Sequence, residues 1–77
     1  MERTRNNIKK ISEVMNNEPM IQTVMTSLAE RAKQNGVTAD EWAEFKNRML
    51  ETMFYKMCEM IPEMQNDLAL DIYEELN

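Results

Sequence analysis

The 77-residue chain contains no histidine, a single cysteine and a single glycine. The absence of histidine removes the commonest zinc ligand and the usual general base. Cys58 has no second cysteine with which to form an internal disulfide. Neither a glycine-rich phosphate loop nor a zinc-ligand spacing is present. We therefore expect no cofactor and no metal ion, and we expect that the protein is not an enzyme.

Long apolar runs are also missing, since no segment approaches the roughly 20 residues that a membrane-spanning helix needs. The start of the chain shows no signal-peptide pattern, and a lone thiol suits a reducing compartment, so we expect a cytoplasmic protein with no membrane partner. A single domain of this size buries only about 60% of the surface that its unfolded chain exposes. Small domains often gain stability from a second subunit. The length therefore favours a homodimer.

The composition favours helix, with few β-branched residues and many Met, Glu, Lys and Leu residues. Apolar residues recur at three- and four-residue steps in four segments, approximately residues 4–15, 18–34, 39–61 and 62–76. Pro19 and Pro62 suit the first turn of the second and fourth segments, although a kinked continuation at Pro62 is an alternative. The sequence predicts a single all-α domain over residues 1–77, a small bundle of three or four helices.

The segment "QNGVTADEW", residues 34–42, predicts a tight connection between the second and third helices. Gly36 suits the left-handed residue that ends a helix. Thr38 and Glu41 have the spacing of a capping box, with Val37 and Trp42 at the positions of a hydrophobic staple. We therefore expect these two helices to form an antiparallel hairpin, and we expect the bundle to be built on it.

The third helix carries a wide apolar stripe that includes most of "MFYKMCEMIPEM", residues 53–64. Its central members are Met49, Met53, Phe54, Met57, Met60 and Ile61. Thioethers with Cys58 could bind copper(I), but helical spacing and apolar neighbours favour packing instead. Burial among apolar side chains should also leave the thiol of Cys58 unreactive. Two alternatives remain open, because the stripe can be the core of the bundle or a self-association surface, and the assembly we expect is a homodimer through this helix.

The last sixteen residues, 62–77, carry five acidic side chains and no basic one, within a chain of net charge −5. One side of this fourth helix is expected to face inward: Met64, Leu68, Ile72 and Leu76. The candidate partner-binding face comprises Asp67, Asp71, Tyr73, Glu74 and Glu75. It suits a protein partner with a basic surface and repels nucleic acid. A solvated helix face and a contact with the basic start of another copy are the alternatives.

These observations favour a non-enzymatic protein that acts by occupying the surface of a partner protein. The candidate anchor side chains are aromatic: Trp42, Phe45, Phe54 and Tyr73. Small acidic proteins of this class include inhibitors of host systems that phages and mobile elements encode, anti-CRISPR proteins among them. A helical dimer scaffold is one alternative. The other is a DNA-binding regulator. In "AERAKQNGVTADEWAEF", residues 29–45, the small, turn and buried positions resemble those of a helix-turn-helix: Ala32, Gly36, Val37, Trp42 and Phe45. The pattern departs at Arg31 and Asn35, and its second helix opens with the carboxylates of Asp40, Glu41 and Glu44.

Overall fold

A computed structural model describes residues 1–77 and shows four helices and no strand. Their bounds are α1 (Glu2–Asn16), α2 (Pro19–Gln34), α3 (Ala39–Met60) and α4 (Pro62–Leu76). The all-α class and the division into four helices are confirmed. The helical conformation is interrupted between α3 and α4, because the backbone of Ile61 is extended, with φ −117° and ψ 101°. A residue that precedes proline avoids the helical region, which explains the break.

The connection between α2 and α3 has the geometry that its residues predict. Gly36 has a φ of +87°, the left-handed conformation in which glycine is favoured. The Val37 N–H donates to the Ala32 carbonyl and the Gly36 N–H donates to the Lys33 carbonyl, which together form a Schellman motif. The capping box follows, because the Glu41 N–H donates to Thr38 Oγ1 at 3.2 Å and the Thr38 N–H donates to Glu41 Oε1 at 3.0 Å. Both helix ends are therefore satisfied locally.

The hydrophobic core lies among α1, α3 and α4. Its buried apolar residues are Ile11, Phe54 and Cys58. Partly buried residues of the same three helices pack around them: Ile8, Met15, Leu50, Met53, Met57, Met64 and Leu68. Helix α2 contributes nothing to this cluster and has no buried residue. The expected bundle built on the α2–α3 hairpin is therefore not confirmed, although α2 does contact α1 and α3.

The molecule is long and thin, with extents of 46 × 25 × 17 Å. Its radius of gyration is 14.8 Å, whereas a compact chain of this length has about 11.5 Å. Its accessible surface is 6258 Å², against about 4,900 Å² for a folded monomer of the same mass. This shape leaves many apolar side chains exposed. None of the four helices combines the length and the apolar character needed to cross a membrane.

Candidate functional site

Helix α4 turns acidic side chains toward the rest of the molecule. Asp71 has no exposed surface, and Asp67 is half-buried. Both face α1, where the Asn7 side-chain nitrogen Nδ2 donates to Asp67 Oδ2 at 3.0 Å. Thr4 and Asn7 of α1 are themselves buried polar residues. The contact between these two helices is therefore polar around Asp67 and Asp71.

Asp71 caps α1 from a different helix. The Thr4 backbone N–H donates to Asp71 Oδ2 at 2.7 Å, and Arg3 donates to Oδ1 at 3.0 Å. The first-turn N–H groups of a helix have no acceptor inside that helix, and Met1, which occupies the N-cap position of α1, supplies no side-chain acceptor. The Asp71 carboxylate takes over this role and also complements the positive end of the helix dipole.

The pKa values of this cluster follow from its hydrogen bonds. Burial opposes ionisation of Asp71, but the hydrogen bonds from Thr4 and Arg3 outweigh it and lower the pKa of the carboxyl to about 2. Arg3 also pairs with Glu74 at 2.9 Å, and its hydrogen bond lowers the pKa of the Glu74 carboxyl. The pKa of Arg3 is raised by its hydrogen bonds to the same two carboxylates, Glu74 first. The group is ionised throughout the physiological range.

The residues of the acidic face that the sequence predicts fall into two groups in the structure, those that contact α1 and those that are exposed. Asp71 is buried and Asp67 is hydrogen-bonded to α1, so neither lies on an open acidic surface. Glu74, Glu75 and Tyr73 are exposed, and Glu75 lies 3.6 Å from the α-amino nitrogen of the first residue. The acidic residues of α4 therefore contact the basic start of the same molecule. The sequence suggested such a contact between the acidic end of one copy and the basic start of another.

The outward side of α4 is apolar instead. We call Ala69, Ile72, Tyr73 and Leu76 the α4 outer face. All four are exposed, with 66% of Tyr73 and 81% of Leu76 accessible to solvent. Their positions are i, i+3, i+4 and i+7, which lie on one side of a helix. The prediction that Ile72 and Leu76 face inward is wrong, because Asp67 and Asp71 occupy the inward positions and rotate the helix about its axis.

The methionine stripe of α3 lies mostly against the core. Phe54 is buried, Met53 and Met57 pack on the core, and Met49 and Ile61 are half-buried. Met60 is the exception, because it is largely exposed. Burial raises the pKa of the Cys58 thiol, so its reactive thiolate form is disfavoured. No three histidine, cysteine, aspartate or glutamate side chains come together as a metal site.

A cleft lined by both polar and apolar side chains lies beside the α2–α3 hairpin. α1, α2 and α3 enclose an open cleft of about 370 Å³, lined in part by Met15, Met25, Trp42 and Leu50. Trp42 stacks on Phe45 with ring centroids 5.5 Å apart, and Phe45 is half exposed. Of the four candidate aromatic anchors, Phe54 cannot contact a partner protein because it is buried.

The first turn of α3 bears on the helix-turn-helix resemblance. Asp40 and Glu41 are exposed there, and Glu44 follows on the next turn. In a DNA complex of this motif, the start of the second helix enters the major groove. These carboxylates would then face phosphates, so the exposed surface is unfavourable for DNA.

The arrangement of α4 gives the most specific functional geometry, an exposed apolar helix face with the buried Asp71 and the half-buried Asp67 on the opposite side. Comparison of the chain with protein-family models, with curated proteins and with solved structures gives no match.

Proposed function

We propose that this chain is a non-enzymatic protein-binding protein that occupies the surface of a partner protein with its α4 outer face. The observation that carries the proposal is the orientation of α4. An ordinary surface helix turns its apolar face inward, whereas α4 turns Asp67 and Asp71 inward beside Met64 and Leu68 and leaves further apolar side chains in solvent. An exposed apolar patch of this kind marks an interaction site.

The spacing of the α4 outer face suits insertion of the helix into a groove of the partner. Helix-in-groove recognition uses apolar anchors at i, i+3, i+4 and i+7, the positions of Ala69, Ile72, Tyr73 and Leu76. Burying a large apolar side chain contributes about 1.5–3 kcal/mol. The hydrogen bonds of Asp71 and the core contacts of Met64 and Leu68 already order α4. Binding therefore does not incur the free-energy cost of folding this helix.

The charges at the edge of this face define the partner's chemistry. Glu74 and Glu75 are exposed on the side of α4 that faces the start of α1, where Glu74 pairs with Arg3, and α4 carries no basic residue. The partner groove should have an apolar floor and a basic rim, because like charges at a rim oppose association. Occupation of such a groove would inhibit the partner's own interactions, which is the mode expected of the phage and mobile-element inhibitors of host systems.

Affinity capture from native cell extract, with quantitative mass spectrometry, tests the proposal. The chain is compared with a Tyr73→Ala/Leu76→Ala variant, which removes two exposed anchors. Tyr55→Ala is the matched control, because Tyr55 is an exposed aromatic residue of α3. We expect a protein that the unaltered chain and the control retain and the double variant loses. Identical captured proteins for all three forms would contradict the proposal.

A further inference from the structure

Helix α2 has an apolar flank that the rest of the molecule leaves uncovered. We call Met20, Val24 and Leu28 the α2 flank, and their exposed fractions are 77%, 58% and 47%. The neighbouring side of α2, which includes Ile21 and Met25, is half-buried. A 16-residue helix is marginal in water without tertiary packing. In this chain α2 packs on α1 and α3 through one side only, so the flank is open to a partner.

The excess accessible area of the whole molecule, of which the α2 flank is one part, is large enough for a dimer interface. The chain exposes about 1,300 Å² more than a compact monomer of its mass, taking 6258 Å² against about 4,900 Å². Two copies that each buried half of this excess would remove about 1,300 Å² in total, the size of a specific protein–protein interface. Burial of the whole excess would reach about 2,600 Å², which is typical of obligate homodimers.

The charges favour α2 over α4 as the surface that meets a second copy. Residues 62–77 carry five acidic side chains and no basic one, so two α4 helices side by side would repel. Helix α2 carries one acidic and two basic residues, Glu30, Arg31 and Lys33, and Glu18 precedes it. Pairing of two α2 helices brings together groups of opposite sign.

We propose that the α2 flank is covered by the α2 flank of a second copy, with the two helices antiparallel and the twofold axis near Val24. With this axis midway between Val24 and Met25, Val24 of each copy lies level with Met25 of the other, and Ile21 of each copy lies level with Leu28 of the other. Ile21, Val24, Leu28 and Arg31 follow the 3-4-3 spacing of a helical seam. In this register, Arg31 of each copy lies level with Glu18 of the other, so a self-complementary contact gains two ion pairs. This pairing is independent of the proposed function, because α2 and α4 do not contact each other.

Sedimentation equilibrium over a range of concentrations tests the pairing. We expect a mass of about 18 kDa, twice the 9.2 kDa of one chain, at high micromolar concentration. Val24→Glu places two carboxylates at the axis and should raise the dimer Kd at least about 100-fold. The matched control is Ile72→Glu, which changes an exposed apolar residue of α4 and should leave the mass unchanged. A monomeric wild-type chain at 100 µM would overturn the proposal, and so would a dimer that Ile72→Glu disrupts and Val24→Glu does not.

A charge exchange gives a second test that does not alter the apolar seam. Arg31→Glu and Glu18→Arg are each expected to raise the dimer Kd about 10-fold, because each creates two like-charge contacts. Neither residue is buried, and Glu18 makes no side-chain cap, so both variants should fold. The double variant restores opposite charges and should recover the wild-type Kd. A double variant as weak as the two single losses combined would contradict the antiparallel register.

Discussion

Truncation of Phe54 should be the most damaging single change in this chain. Phe54 is 1% exposed and is the largest member of a core with only three buried apolar residues. Replacement of a buried phenylalanine by alanine costs about 3–5 kcal/mol, through lost burial and the cavity left behind. A 77-residue domain has a total stability of about 4–12 kcal/mol. We therefore expect Phe54→Ala to lower Tm by at least about 12 °C or to unfold the protein at 25 °C.

Urea denaturation followed by circular dichroism measures this loss. Tyr55→Ala is the internal control, since Tyr55 is the next residue on the same helix and 58% of its side chain is exposed. Its cost should be within about 0.5 kcal/mol. Measuring both variants at the same protein concentration keeps any contribution of self-association to stability equal in the two measurements. Equal losses for the two variants would refute the helix orientation that places Phe54 in the core.

Two further predictions concern the acidic cluster and the hairpin. The folded pKa of Asp71 is about 2, below its ordinary value of 3.8, so its stabilising contribution is complete above about pH 4 and is lost as the pH falls toward 2. Asp71→Asn should reduce the pH dependence of the urea midpoint between pH 2 and 5, and an unchanged slope would contradict the assignment. Gly36→Ala should cost about 1 kcal/mol, because alanine disfavours a φ of +87°, although no neighbouring atom blocks its Cβ. Thermal melts of Gly36→Ala beside Asn35→Ala, which keeps the glycine, separate this strain from a general loss of helix capping.

The local features of this fold could be predicted from the sequence because they depend on neighbouring residues. The capping box of Thr38 and Glu41, the left-handed Gly36 and the helix break before Pro62 each follow from residues within a few positions of one another. These signals act through the backbone of their own segment. These local features therefore form regardless of which neighbouring helices pack against the segment.

The orientation of α4 could not be predicted in the same way. Its apolar residues allow Met64 and Leu68 to face inward with either Ile72 or Asp71, and hydrophobic periodicity alone selects Ile72. The deciding groups are Arg3 and the N–H of Thr4, which lie 68 and 67 residues from Asp71 in the chain. A buried carboxylate is stable only where such donors meet it, and one sequence gives no direct sign of that pairing.

The exclusion of α2 from the core has a similar cause. Its apolar spacing is as regular as that of a core helix, so the sequence predicted a central hairpin. In the structure, α1 takes the place beside α3 and α4, since its Ile11 packs with Phe54 and Cys58. Periodicity shows which side of a helix needs cover but not which neighbour supplies it. The uncovered α2 flank is the result.

The rotation of α4 about its axis determines both the burial of Asp71 and the exposure of the α4 outer face. A ¹³C NMR titration of the side-chain carboxyl carbons tests it directly. We expect Asp71 to titrate at about pH 2 and its signal to shift little above pH 4. A midpoint near 3.8, the ordinary value for an aspartate, would show Asp71 in solvent and would contradict both the acidic cluster and the α4 outer face.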